Sequence, residues 1–209
     1  MVQVSKTVPR RLLLALPLIS ALLAVGSEAQ ATKSAVFGTD PHGHPISTLA
    51  GPGARVVVLF FAASDCPIAN RYVPEISRLT KEFAANPPGT GDVRFWWVYP
   101  NPGDTAQVVA GHNRDYAITA DTILDPRQSL VHLAHATVTP EVAVFLVEGR
   151  ELHEVYHGRI DDRYISLGQE RPHAEHHELE AAIVAALAGK PVPQPGGPPV
   201  GCSIVFLQK

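Results

Sequence analysis

Hydrophobic positions along this chain change period several times, and each change marks an element. Val56-Val57-Val58-Leu59-Phe60-Phe61-Ala62 is an unbroken β-branched and aromatic run, the pattern of a strand covered on both faces in a mostly parallel sheet. After Ser64-Asp65-Cys66-Pro67, residues Val73, Ile76, Leu79 and Phe83 recur at helical spacing up to Asn86, and Pro87-Pro88-Gly89 ends that helix. Cys66 therefore stands where strand becomes helix. A second strand, Val93 to Tyr99, leads through Pro100-Asn101-Pro102-Gly103-Asp104 into a helix from Thr105 to Tyr116, capped by Asp104 or Thr105.

Shorter elements follow. Ile123-Leu124 reads as a brief strand and Gln128 to Ala136 as a short helix. Val142 to Val147 and Glu151 to Tyr156 form a hairpin across Glu148-Gly149-Arg150. Leu179, Ile183 and Leu187 share one helical face that stops at Gly189-Lys190-Pro191. Upstream, Val36 to Leu49 is a lead-in hairpin turning at Thr39-Asp40-Pro41-His42-Gly43. The pattern predicts an α/β fold, a central mixed sheet flanked by helices with an N-terminal hairpin extension. No repeat of domain-building length is visible.

The first segment changes the picture. Lys6, Arg10 and Arg11 precede an apolar run from Leu12 to Val25, followed by the small residues Ser27, Ala29 and Ala31. This is the pattern of a secretory signal peptide, and the run is shorter than a membrane span. Cleavage after Ala29 or Ala31 fits, which divides the chain into residues 1–31 as signal, 32–190 as the folded domain and 191–209 as a Pro/Gly-rich tail. Losing Lys6, Arg10, Arg11 and Glu28 moves the net charge from −3 to −5. An exported acidic chain without a basic stripe is not expected to bind nucleic acid or to stay in a membrane after cleavage. At 209 residues with 45% hydrophobic and 18% charged positions, it is long and apolar enough for one core. Two cysteines, Cys66 and Cys202, exclude a disulfide-dense scaffold and a four-cysteine zinc site, and export places both where disulfides persist.

Cys66 is the nucleophile candidate. A cysteine at a helix start has unpaired N–H groups and the positive dipole end beside its sulfur, which favours thiolate. Pro67 suits the first helical turn, whereas a carboxylate at Asp65 opposes thiolate unless its side chain turns away. The competing reading is a buried structural cysteine.

Phe60-Phe61-Ala62-Ala63-Ser64-Asp65-Cys66-Pro67 resembles the strand-to-helix nucleophile turn of thioredoxin-like redoxins, the AhpC/TSA and thiol-disulfide interchange group. Pro74 is similar to the helix-kinking proline of that family, and Thr139-Pro140 resembles its Thr/Val-cis-Pro. The likeness spans about Val36 to Gly189. It implies a thioredoxin-like fold and a substrate groove shaped by Pro67, Thr139 and Pro140, where a proline without N–H lets an extended backbone dock. It also implies a thiol, disulfide or peroxide substrate from a protein or small molecule, an external reductant, and no bound cofactor.

Departures narrow the chemistry. Cys66-Pro67-Ile68-Ala69 lacks the second cysteine of Cys-x-x-Cys, so no local dithiol exists. Ala63 and Leu59 stand where peroxiredoxins carry threonine and proline. Ser64 could replace that hydroxyl only in a rearranged turn. Asn70 and Pro140 occupy the places of the second cysteine and the histidine of copper-delivering relatives.

Cys202 is the remaining possible partner, beyond a Pro191–Pro199 linker able to carry it toward Cys66. It resolves a sulfenic acid or mixed disulfide on Cys66, forms a static bond worth roughly 4 to 5 kcal/mol in the chain-entropy account, or stays free. Arg159, beside Arg163 in Gly158-Arg159-Ile160-Asp161-Asp162-Arg163-Tyr164, is a candidate thiolate support; the plainer reading is a salt-bridged surface loop. His173, His176 and His177 with Glu175 and Glu178 read as a solvated helix start, so no metal site is expected. His135 or His157 could approach Cys66 as a base. The reading overall is an exported thiol-dependent oxidoreductase, and the competing class is a non-catalytic binding or redox-sensing module.

Overall fold

The computed structural model describes residues 36–83 and 92–207. The signal segment and the helix end at Pro87-Pro88-Gly89 lie outside the described residues. The lead-in hairpin is β1 (Gly38–Thr39) and β2 (Pro45–Ile46), and the apolar run is β3 (Val56–Phe61). Every residue of β3 is at most 1% exposed, so each side chain contributes about 1.5–3 kcal/mol of burial.

Downstream of β3 the single predicted helix is two, α1 (Pro67–Arg71) and α2 (Val73–Phe83). Pro74 is the reason. It has no N–H to return to Asn70, so the Tyr72 N–H closes α1 on the Ala69 and Asn70 carbonyls instead. Next come β4 (Val93–Tyr99), α3 (Ala106–Asp115), β5 (Asp121–Leu124) and α4 (Ser129–Ala134). Thr105, not Asp104, caps α3, accepting from the Val108 N–H. Asp125, fully buried, accepts the Ser129, Leu130 and Val131 N–H groups and so starts α4 one residue after Gln128.

β6 (Val138–Thr139) precedes the hairpin of β7 (Glu141–Glu148) and β8 (Glu151–Gly158). A small hairpin, β9 (Tyr164–Ser166) with β10 (Gln169–Glu170), then leads to α5 (Glu178–Leu187), and β11 (Cys202–Ser203) lies near the chain end. The main sheet runs β2-β1-β5-β4-β3-β7-β8. β3, β4 and β5 are parallel, and β7 and β8 run antiparallel beside them.

Strand alternation divides the core. Val56, Val58 and Phe60 face α2 and α5 through Val73, Ile76, Leu79, Leu179 and Ile183. Val57, Leu59 and Phe61 face α4 and Leu49. Both tryptophans are structural: Trp97 packs edge-on against Phe60 at 4.5 Å, and Trp96 donates its indole N–H to the Leu49 carbonyl. A mixed sheet covered by helices on both faces, with a cis Thr139–Pro140 bond across from the Cys66 turn, is the thioredoxin-like fold that the resemblance implies. Among the described residues no helix is long and apolar enough to cross a membrane.

Candidate functional site

β3 lies inside the sheet between β4 and β7, and the buried Ala62 and Ala63 follow it. The Cys66 N–H then turns back onto the Ala63 carbonyl, which places Cys66 as the N-cap of α1. Its sulfur accepts the Ala69 N–H at 3.5 Å, as an N-cap oxygen does in other helices. Asp65 is exposed and does not cap the helix. Pro67 occupies the first helical position, also exposed.

Across from α1, the Cys66 thiol donates to the Thr139 carbonyl at 3.0 Å. Cys66 is 1% exposed. What covers it is the tail. Cys202 Sγ lies 2.8 Å from Cys66 Sγ, and both are free thiols. Burial, then the hydrogen bond to Cys66, pushes the Cys202 thiol up to about 12. It therefore holds its proton at neutral pH.

The tail is seated in a defined register. β11 pairs antiparallel with β6, Cys202 opposite Thr139 and Ser203 opposite Val138. The Ile204 N–H continues the ladder onto the Thr137 carbonyl, and Ile204 is buried in the core on the α4 side. Farther along, the Gln128 amide grips the strand from both sides, donating to the Val205 carbonyl and accepting from the Leu207 N–H. Asn101 accepts the Val205 N–H. Upstream, Val192 and Val200 pack on the other core cluster. The Pro191–Pro199 stretch is thus laid along the domain, where the sequence suggests a swinging linker.

Gly201 makes the approach possible. A Cβ there would collide with the Thr139 carbonyl and sit 3.0 Å from the Pro140 nitrogen. Glu141, 1% exposed, holds the opposite side of the groove by accepting the Thr137 and Val138 N–H groups. His157 pairs with that carboxylate at 2.5 Å, and His135 is exposed at the end of α4. Neither histidine contacts Cys66 in the described structure.

Two further candidates also point elsewhere. The Ser64 hydroxyl donates to Asp104 Oδ1 at 2.5 Å, with the Ser64 N–H on the same oxygen, so it is turned from Cys66. Arg159 is committed to Glu178, and Arg163 pairs with Glu170 at 3.5 Å. The arginine loop is a salt-bridged one. His173, His176 and His177 are exposed before α5. The carboxylates near them are occupied: Asp162 accepts the Glu175 and His176 N–H groups, while Arg78 pairs with Glu75 and Glu180.

A polar network beside the Cys66 turn had no sequence signal beyond isolated polar residues. Asn70 donates to the Ser64 carbonyl at 3.1 Å, which turns its Oδ1 toward His112 Nε2 at 2.7 Å. Nε2 therefore carries the proton. On the other side, the Tyr99 hydroxyl lies 2.9 Å from His112 Nδ1 and 3.0 Å from Asn113 Oδ1. The network ties α1 and α3 to the residues just before Cys66. Burial, partly opposed by the Asp104 and Asp115 charges, holds His112 below its ordinary range, whereas burial raises Asp104 above the usual carboxylate range.

For His112 the sign follows from the neutral form being preferred in the folded state. Its contribution to stability is present above about pH 6.5 and is lost as pH falls, because the unfolded chain then takes up the proton first. His112→Gln is expected to flatten the melting-temperature profile between about pH 7.5 and 5 relative to wild type. Parallel profiles for the two proteins in thermal denaturation would refute this.

Among solved structures, the chain is similar to an uncharacterized conserved protein from Geobacillus kaustophilus, 23% identical, TM-score 0.63, covering 84% of this chain and 91% of that one. It is similar also to a hypothetical protein from Sinorhizobium meliloti 1021, 23% identical, TM-score 0.68, covering 84% and 93%. These two likenesses are of fold. A secreted disulfide oxidoreductase of Mycobacterium tuberculosis is 18% identical over 52% of this chain and 74% of that one, TM-score 0.42. No family model and no curated protein matches the sequence.

Proposed function

We propose that this chain is an exported thiol-disulfide oxidoreductase whose redox pair is Cys66 with Cys202. The observation that carries the reading is the 2.8 Å approach of two free sulfurs separated by 136 positions, seated by a strand in register with the cis-proline loop. A contiguous dithiol is missing from the Cys66 turn, and the tail supplies its second member.

The chemistry follows from the two environments. A Cys66 thiolate attacks one sulfur of a disulfide substrate, forming a mixed disulfide and releasing the other substrate half as thiolate. Cys202, deprotonated as it reacts, then attacks the Cys66 sulfur. The second substrate thiolate leaves and a Cys66–Cys202 disulfide remains, so two electrons pass from the protein dithiol to the substrate. Extended substrate backbone would use the Pro67, Thr139 and Pro140 groove. Disulfide exchange is favoured over peroxide reduction because the hydroxyl nearest in sequence to Cys66, that of Ser64, is held by Asp104.

Oxidation of the signal-free chain with diamide, followed by mass-spectrometric mapping, is expected to yield a Cys66–Cys202 disulfide. It should raise unfolding stability by roughly 4 to 5 kcal/mol in the chain-entropy account. A diamide-treated sample in which both cysteines remain alkylatable would overturn the reading. Disulfide formation without turnover of any disulfide substrate would instead favour the redox-sensing class.

A further inference from the structure

Resting on the dithiol reading above, we infer that the tail's seat on β6 is also the substrate's seat, and that it takes a polypeptide cysteine preceded by glycine and followed two positions later by a branched apolar residue. A substrate that exchanges with Cys66 must bring a sulfur to a side chain that is 1% exposed. The fold displays one way of doing so: a strand laid antiparallel on β6 carries Cys202 Sγ to 2.8 Å.

The hold on that strand is a hold on backbone. Opposite Thr139 and Val138 it pairs through Cys202 and Ser203, and the Ile204 N–H donates to the Thr137 carbonyl at 3.1 Å. Asn101 Oδ1 accepts the Val205 N–H at 2.9 Å, while the Gln128 amide donates to the Val205 carbonyl at 2.7 Å and accepts the Leu207 N–H at 3.1 Å. Every one of these bonds uses a main-chain atom of the tail, so another polypeptide on the same path makes them too.

Side chains are read at two places only. Before the cysteine, a Cβ at Gly201 would collide with the Thr139 carbonyl and lie 3.0 Å from the Pro140 nitrogen, which closes that position to every residue but glycine. After it, Ile204 is 3% exposed in the cluster that holds Leu130, Val131 and Ala136, whereas Ser203 is exposed and Val205, Phe206 and Leu207 are 60%, 52% and 48% exposed. Strand alternation is the reason, since Cys202 and Ile204 share the inward face.

Tail and substrate hold this edge in turn. With the tail lifted, the Cys66 thiolate bonds to one sulfur of a polypeptide disulfide, and the other half leaves as thiolate. The tail then re-enters the ladder; Cys202 gives its proton to solvent and bonds to Cys66, and the first half leaves as thiolate. The substrate disulfide gains two electrons and the protein dithiol loses them.

Four peptides test the register, each supplied as its symmetric disulfide so that either sulfur is equivalent. One has the sequence of residues 199–209, and the others carry Gly201→Ala, Ile204→Ser or Val205→Ser within it. Each is mixed with excess reduced signal-free chain, acid-quenched at short times and followed by chromatography of the released peptide thiol. The parent and Val205→Ser peptides are expected to be reduced at rates within about threefold of each other, and the Gly201→Ala and Ile204→Ser peptides each about tenfold or more slowly. Equal rates for all four would overturn the inference, as would reduction of 5,5′-dithiobis(2-nitrobenzoate) without reduction of any peptide. In both cases a Cys66–Cys202 disulfide mapped in the spent protein leaves the dithiol reading standing, and its failure to form with any oxidant removes that reading as well.

Discussion

Cys66→Ser is expected to slow reduction of a disulfide substrate such as 5,5′-dithiobis(2-nitrobenzoate) by about a thousandfold or more. Serine preserves the size and the N-cap position, but its hydroxyl stays protonated at neutral pH and exchanges with no disulfide. The remaining thiol does not rescue the reaction. Cys202 is pushed up to about 12 by burial and by its partner, and the burial remains in the variant, so only a small fraction is thiolate at pH 7. Cys202→Ser is expected to behave differently, making the first attack but stopping at a mixed disulfide on Cys66, seen as one covalent substrate adduct per chain. Stopped-flow release of the coloured thiolate distinguishes the two. Retention of the wild-type rate within about tenfold in Cys66→Ser would transfer the nucleophile's role to another residue.

Gly201→Ala is expected to expose Cys66. The added Cβ meets the Thr139 carbonyl and the cis-proline nitrogen, both backbone atoms between the cysteine loop and β7, and neither can give way without moving the groove. The tail yields instead, so β11 separates from β6 and Cys202 leaves the sulfur it covers. Alkylation of Cys66 by iodoacetamide should then accelerate by about tenfold or more, while the yield of Cys66–Cys202 disulfide after diamide falls in parallel. Both effects arise from one displacement and should appear together. Unchanged alkylation with an unchanged disulfide yield would show that the β6 pairing is not what seats the tail. On the proposed function the same displacement would open the Thr139 edge, where the tail lies and an extended backbone would dock.

Much of the frame was legible because it rests on local periodicity. β3 reads from its unbroken apolar run, β4 from Val93 to Tyr99, and α5 from one apolar face ending at Gly189. Where the reading differed, a backbone group was responsible. Pro74 divides one periodic helix in two, because hydrophobic spacing does not register a missing N–H. Gln128 belongs to no helix because it takes a left-handed conformation and Asp125 caps the turn after it.

The site divides along the same line. The position of Cys66 at a strand-to-helix junction and the cis Thr139–Pro140 bond follow residue patterns that can be read a few positions at a time. Candidates named for their charge or hydroxyl did not gather there: Ser64 is drawn to Asp104, Arg159 to Glu178 and His157 to Glu141. Each partner lies far along the chain or on another element, so spacing carries no trace of it. Nothing in the sequence marked the hydrogen-bonding roles of Asn70, His112, Gln128 and Asn101, because a polar side chain acquires its role from what surrounds it.

Local chemistry along the chain specified an α/β frame, a cysteine at a helix start and the lack of a second cysteine beside it. Folding alone decided where the second thiol lies. Val200-Gly201-Cys202-Ser203-Ile204 has no periodicity that assigns it a partner, and a Pro/Gly-rich approach permits many placements. Its seat comes from non-local terms: a glycine that lets two backbones touch, ladder bonds to Val138 and Thr139, the buried Ile204, and the grip of Gln128 and Asn101. Those contacts convert two distant cysteines into one dithiol.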